Sequence, residues 1–142
     1  MARYILDTDH LSLVQRNGKE GQQILAKIAT LPNPNIAVTI ITYEEQVRGR
    51  LLYLAKAKSI EQQAIAYGRL QQLIFDYQSI AIIPFTETAI RQYQHLRKQD
   101  PRLGKMDLKI AAIALTYNAI LLTRNQSDFS QIVELQSEDW SY

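Results

Sequence analysis

Asp7, Glu45, Asp107 and Asp128 are the side chains of this sequence whose type and placement could do chemistry. Asp7 ends the apolar run Tyr4-Ile5-Leu6, and Glu45 falls in the opening turn of the segment that follows a β-branched run from Ile36 to Ile41. Asp107 opens an alanine-rich segment just before the run Ala119-Ile120-Leu121-Leu122-Thr123, and Asp128 lies in the loop after that run. In open α/β sheets, ligands bind outside the carboxyl ends of the strands, so these acids, remote in sequence, would converge on one cleft. Two unit charges about 4 Å apart repel by several kcal/mol at a protein-like dielectric. No lysine or arginine is placed in sequence to neutralise each acid. Mg²⁺ or Mn²⁺ suits such an all-oxygen donor set, because these ions use few protein carboxylates, keep waters and bind phosphates as well. Ions of this kind activate water and stabilise a leaving oxygen in phosphodiester cleavage. The chemistry implied is metal-dependent phosphodiester hydrolysis.

Each acid also has a plainer role open to it. A carboxylate at a helix N-cap or in a first turn contributes roughly 0.5–2 kcal/mol with no ligand involved. Asp128 with Asn125 reads equally as a turn or capping pair. What argues for a site is that all four fall on one sheet edge.

The elements that would position them follow from periodicity. Tyr4–Leu6, Ile36–Ile41, Ile80–Ile83 and Ala119–Thr123 read as short buried strands, with Ile132-Val133 a weak fifth. Thr8, Asp9 and Ser12 offer N-cap chemistry for a short helix through about Gln15, which Asn17-Gly18 stops. Gly21–Leu31 resumes with helical spacing, and Pro32-Asn33-Pro34-Asn35 breaks it. Thr42 is a candidate N-cap for a helix from Tyr43 to about Lys58, followed by a second helix from Ser59 to about Tyr77. Thr86 caps a helix to about Lys98, and Asp107–Tyr117 is a further helix whose Ala111, Ala112 and Ala114 suit close packing on a sheet. Strands alternating with helices imply one α/β domain over residues 1–142, a parallel sheet covered on both faces. Leu51, Leu52, Leu54, Leu73 and Ile74 exceed what one sheet face needs, so part of the paired-helix surface is expected to meet a second copy or another protein.

Composition narrows the class. With 142 residues, 46% apolar and 21% charged, the chain can build an ordinary globular core. The absence of cysteine excludes disulfides, thiolate metal sites and a cysteine nucleophile. The longest apolar runs, such as Ile110–Leu115, fall far short of a membrane span, and the start reaches Asp7 too soon for a signal-peptide core. A cytoplasmic protein is expected. A net charge of +2 makes no general case for nucleic-acid binding; Arg48, Arg50, Lys105 and Arg124 are the local candidates for phosphate contacts, each equally readable as a solvated charge. His10 and His95 lack ligand-like spacing, Ser12 sits in no nucleophile elbow, and the glycines form no phosphate loop. Trp140-Ser141-Tyr142 reads as packing rather than a base-stacking platform.

Four segments together resemble the PIN domain, and most closely the VapC-type toxins of bacterial toxin–antitoxin pairs. They are Ile5-Leu6-Asp7-Thr8-Asp9, Thr42-Tyr43-Glu44-Glu45, Gly104-Lys105-Met106-Asp107-Leu108-Lys109-Ile110-Ala111-Ala112 and Thr123-Arg124-Asn125-Gln126-Ser127-Asp128-Phe129, in the family's order and spanning nearly the whole chain. The resemblance implies a Rossmann-like three-layer α/β/α fold with a central parallel sheet, usually dimeric. It implies Mg²⁺- or Mn²⁺-dependent endoribonuclease activity, with Asp7, Glu45, Asp107 and Asp128 as metal-binding carboxylates. Thr123 and Asn125 would support the site by hydrogen bonding, RNA would be the substrate, and a small antitoxin the partner. Two positions depart from the pattern. Asp9 stands where many members have Asn, which would add a fifth acid near the metal, and Gln46 stands where an apolar residue is commoner. Rival readings are a catalytically silent PIN-like binding module, a housekeeping RNA-processing PIN nuclease, and a phospho-acceptor receiver domain. The last would need adjacent acids after the first strand and a lysine after the last, and neither is present.

Overall fold

The computed structural model describes residues 3–142; Met1 and Ala2, which open the segment read for a leader, lie outside them. Five strands form one sheet: β1 (Arg3–Leu6), β2 (Asn35–Thr39), β3 (Ile82–Ile83), β4 (Ile120–Leu122) and β5 (Ser137–Glu138). Their order is β3-β2-β1-β4-β5, and every pairing is parallel. Seven α-helices connect or cover them: α1 (Thr8–Arg16), α2 (Lys19–Ala29), α3 (Ile40–Ala55), α4 (Ile60–Asp76), α5 (Glu87–Gln99), α6 (Lys105–Thr116) and α7 (Gln126–Phe129), with a 3-10 turn at Tyr77–Ser79. The α/β class expected from the alternation of strands and helices is the class observed.

The short strands carry the core because both of their faces are covered. Ile5 and Leu121, adjacent in register on β1 and β4, face one core with Ile110, Ile113, Leu108 and Phe129. Their neighbours Leu6 and Leu122 face the opposite core with Leu11, Ile24, Val38 and Trp140. This is the period-two alternation of a strand, with both sides apolar because helices lie on both sides. Ala111, Ala112 and Ala114 of α6 are fully buried, and their small size lets that helix approach closely.

Several boundaries differ from those expected, each for a local reason. The β-branched run does not stay extended to Ile41: Thr39, fully buried, caps α3 by accepting from the Thr42 amide at 3.1 Å, so Ile40 and Ile41 are already helical. The cap of α1 is Asp7 itself rather than Thr8, Asp9 or Ser12, with the Thr8 amide donating to Oδ1 at 2.9 Å. Ser59 and Thr86 cap α4 and α5 as expected. The fifth strand is Ser137–Glu138, paired with Leu121 and Leu122, not Ile132-Val133. Ile132 is buried beneath a turn while Val133 is almost fully exposed, so that pair has no ladder to join. Asn17 and Asn118 adopt the left-handed conformation that ends α1 and α6. On the paired helices, Leu51, Leu52 and Ile74 are exposed, whereas Leu73 is buried internally.

Gly21 is where α2 meets α1 most closely. A Cβ placed there would overlap the backbone carbonyl of Leu13, whereas one at Gly68 of α4 would meet nothing. Gly21→Ala should therefore destabilise by about 2 kcal/mol or more through backbone displacement, while Gly68→Ala should stabilise by about 0.5–1 kcal/mol through helix propensity. Urea denaturation of the two variants tests the pair; equal effects would contradict the close approach.

Candidate active site

The strand order places a topological switch point between β1 and β4, because the chain winds outward through β2 and β3 and then returns to the other side. A crevice opens at the carboxyl ends of strands at such a point. Asp7 follows β1 and Thr123 follows β4, so the two residues that flank the crevice are a carboxylate and a hydroxyl.

Asp7 is 6% exposed. Its Oδ1 accepts from the Thr8 amide at 2.9 Å and its Oδ2 from the Thr123 hydroxyl at 2.7 Å. Burial, and then the charge of Asp9, push its carboxyl up from an ordinary value to about 7 against the opposing pull of those two hydrogen bonds, and Asp107 adds to the rise. The capping role and the site role are therefore combined in one residue.

Glu45 reaches the same crevice from α3, where the Thr8 hydroxyl donates to Oε1 at 2.6 Å and also stands 3.0 Å from the hydroxyl of Thr42. Asp107 sits in the first turn of α6 with no capping bond at that helix's start. Its carboxyl is raised by burial first, then by the charges of Glu45, Asp128 and Asp9. Asp128, in the short α7 rather than a loop, accepts from Asn125 Nδ2 at 3.1 Å. The carboxylates contributed by four separate segments thus share one electrostatic field. Among the described residues, none of Asp7, Glu45, Asp107 and Asp128 forms an ion pair.

Asp9 is the fifth acid, close enough to raise Asp7. It is held from several sides: the Arg124 amide donates to Oδ2 at 3.1 Å, the Thr123 hydroxyl lies 3.2 Å from the same oxygen, and His10 Nδ1 stands 2.8 Å from Oδ1. The fully buried His10 accepts from the Trp140 amide at Nε2, 3.0 Å away. A nitrogen that accepts there leaves the proton on Nδ1, which donates to Asp9. His10 is thus a satisfied core histidine that orients an acid, and Trp140 packs on Tyr4.

Gln46 is accommodated as a buried polar hub. Its Nε2 donates to Gln15 Oε1 at 2.8 Å and to Ser12 Oγ at 3.3 Å, and its Oε1 accepts from the Tyr77 hydroxyl at 2.7 Å. The sequence singled out neither Thr8 nor Thr42 as a site residue, because both read as ordinary cap threonines; only the approach of α3 to α1 turns them toward Glu45.

The basic candidates separate. Arg48 pairs with Glu44 at 2.6 Å and, with Glu45, Gly49, Leu52 and Met106, lines a hollow of about 270 Å³ beside the acids. Arg124 lends its amide to Asp9, and Lys105 is the first residue of α6. Arg50 lies farther along α3, one turn beyond Gln46 and away from the hollow at Arg48, in a pocket with Arg16 and Arg69.

The donor set is all oxygen, crowded and short of positive charge, which fits a hard divalent cation. Among the described residues no three acidic or histidine side chains are already gathered tightly enough to hold one ion between them. Of the four acids, Glu45 lines the hollow described above, and an ion that keeps several waters needs few direct protein ligands.

Residues 4–135 match the family model described as PIN domain. A protein named Ribonuclease VapC1 from Haemophilus influenzae strain R2866 is 30% identical over 140 residues, covering 97% of this chain and 98% of that protein. The structure of VapBC-1 from nontypeable Haemophilus influenzae superposes with a TM-score of 0.72 at 26% identity, covering 98% of each chain. VapBC2 from Rickettsia felis, bound to a DNA fragment from its promoter, gives 0.72 at 25% identity, covering 96% of this chain and 98% of that one.

The elevated Asp7 carboxyl makes the stability of the metal-free chain pH-dependent. Below an unfolded value near 3.8 the group is protonated in both states; as pH rises toward about 7 the unfolded chain releases its proton first, and native stability falls. Asp7→Asn removes that penalty, and Thr123 can still donate to Asp9. In chelator the variant should be more stable than the unmutated chain at pH 8, by on the order of a few kcal/mol, and so melt higher, and the gain should vanish near pH 4. Thermal melts across that range decide it; a gain independent of pH would contradict the charge origin.

Proposed function

The chain belongs to the PIN domain family, and from that premise we propose that it is a Mg²⁺- or Mn²⁺-dependent endoribonuclease acting as the toxin of a toxin–antitoxin pair. The observation that carries the reading is the gathering of acids from separate segments: Thr8 ties Glu45 to the end of β1 and Thr123 ties Asp7 to the end of β4, while the Asp107 carboxyl is raised by burial first and then by Glu45, Asp128 and Asp9. Among the described residues, no lysine or arginine forms an ion pair with these acids. The names of the similar proteins, a ribonuclease VapC1 and VapBC complexes, support the substrate class and an antitoxin partner. An intact set of acids favours a nuclease over a silent binding module.

Asp7, Glu45 and Asp107 would hold the ion, with Asp128 as the fourth carboxylate. A bound divalent cation would polarise the phosphodiester and lower the pKa of a water that attacks phosphorus. The chain's own residues supply order. Thr123 and the Thr8 amide each take one lone pair of the Asp7 oxygens and leave the others for the cleft. Thr8 fixes the rotamer of Glu45, and Asn125 that of Asp128. Asp9, clamped through His10, Thr123 and the Arg124 amide, keeps the field negative between the ends of β1 and β4. Because neutral donors position Asp7, Glu45 and Asp128, their charge stays available to a cation.

Among the described residues no helix is long and apolar enough to cross a membrane, and a cytoplasmic location fits the proposed role. Leu51, Leu52, Ile65, Ile74 and Phe75 are exposed on α3 and α4. This apolar surface supports association with a second copy or with the antitoxin, since patches of that kind are seldom left uncovered.

Millimolar Mn²⁺ should raise the melting temperature by mass action, and Asp107→Asn should abolish the rise. Cleavage of single-stranded RNA should stop in excess chelator; activity that persists there would eliminate the mechanism. Expression of the chain alone should arrest growth, and Asp7→Asn should restore growth at an equal level of soluble protein. An Asp7→Asn chain that stays folded and fully toxic would hand the reading to the binding module. An unmutated chain that cuts RNA without harm to the cell would be a housekeeping nuclease.

A further inference from the structure

The acid cleft is one end of a seam between α1 and α3, and the other end is basic. At the near end Thr8 meets Thr42 and Glu45. Midway, Ser12 and Gln15 meet Gln46. Arg16 closes α1 eight residues after Thr8, and Arg50 stands eight residues after Thr42, so each arginine lies about 12 Å along its helix axis from the threonine at the cleft. There α4, packed on α3, adds its own side chains. Arg16, Arg50 and Arg69, with Ser12, Gln15, Gln72 and Asp76, enclose a pocket of about 420 Å³.

This pocket carries more positive charge than its own wall balances. Asp76 is the one acid in its wall, and its Oδ1 already accepts from Gln72 Nε2 at 3.1 Å. Among the described residues none of the three arginines forms an ion pair. The Nε of Arg50 is buried and has no hydrogen-bond partner; an unpaired buried donor is costly and rare in native folds. Arg69 is stacked over the ring of Tyr53, 4.5 Å from its centroid, which restrains its guanidinium. Planar forks match the oxygens of a phosphate two at a time.

Such an anchor also answers a difficulty of the acid cleft, which by itself repels a polyanion. A net charge of +2 spread over the chain does little against that repulsion, so attraction has to be local. We propose that the Arg16–Arg50–Arg69 pocket is a phosphodiester-binding subsite that holds the RNA strand a short run of nucleotides away from the bond cut in the acid cleft. This rests on the ribonuclease reading and adds two arginines that sequence spacing did not single out.

The test uses the full chain carrying Asp7→Asn, so that RNA survives, and a fluorescently labelled single-stranded oligoribonucleotide. Arg16→Gln and Arg69→Gln should each weaken binding several-fold and make the salt dependence shallower by about one ion. Arg50→Lys, which keeps the charge and loses the fork, should weaken it less. Arg91→Gln, removing an exposed charge paired with Glu87 on α5, should change nothing. Shortening the oligonucleotide until it fills only the acid cleft should erase the differences between variants. Melting curves establish that each variant is folded. Equal weakening by Arg91→Gln would show only a diffuse field and overturn the subsite. Protection by inorganic phosphate that requires Arg69, with RNA binding indifferent to it, would assign the pocket to a free phosphate ligand. Loss of binding to an acidic antitoxin peptide, with RNA binding intact, would assign it to the partner; either result overturns the proposal. If the otherwise unmutated chain cuts RNA with Mn²⁺ and the arginine variants bind like their parent, the subsite alone fails. If the unmutated chain neither binds nor cuts RNA, the ribonuclease reading fails with it.

Discussion

A carboxylate buried at the end of an apolar strand is the constraint around which the rest of this molecule is arranged. Asp7 follows Ile5 and Leu6, which are committed to opposite cores, so the chain has no freedom to swing its side chain into water. Its ionised form is penalised by burial and by Asp9. The surroundings answer with neutral donors, the Thr8 amide and the Thr123 hydroxyl, rather than with a lysine or arginine. A fixed cation would cancel the charge and leave a structural ion pair. Hydrogen bonds hold the geometry and leave the negative field in place, which suits the proposed divalent cation.

The same economy explains why threonine recurs around the crevice. Thr39 caps α3 and thereby sets where that helix begins. Three residues on, Thr42 comes within 3.0 Å of Thr8, and Glu45 follows on the adjoining face. Thr123 sits at the matching position beyond β4, pairing with both acids of the first segment. A small side chain with one donor and two lone pairs fits these buried positions, where a longer polar side chain would lose more conformational entropy. Gln46 extends the polar contact along the seam, and its satisfied amide explains how a polar residue can lie 5% exposed in the packing of α3.

Much of this was legible in the residues themselves. The alternation of short apolar runs with amphipathic segments sets the class, because each run is too short to be a buried helix and each segment has the spacing of one. Ser59 and Thr86 announce their helices, since capping depends on neighbours two or three positions away. Asp7, Glu45, Asp107 and Asp128 could be singled out because the carboxyl ends of parallel strands point the same way. The misplaced features share the opposite property. The strand nature of Ser137-Glu138 depends on pairing with β4, and neither residue has the hydrophobicity that would mark it. Ile132-Val133 has that hydrophobicity but lies in turns. The early start of α3 depends on Thr39 being buried, which no local pattern reveals.

The sequence by itself determined the covalent menu: acids after apolar runs, threonines in capping positions, no sulfur chemistry, and periodicities that admit a layered parallel sheet. Tertiary structure alone decided which of these meet. The order β3-β2-β1-β4-β5 brings Thr123 to Asp7 across 116 positions of chain and the Trp140 amide to His10 across 130. The packing of α4 beside α3 and α1 gathers Arg16, Arg50 and Arg69 into one pocket. The physical reason is range. Propensity and capping act over a few residues, whereas burial, Coulomb repulsion and hydrogen bonding between remote segments exist only once the chain has packed.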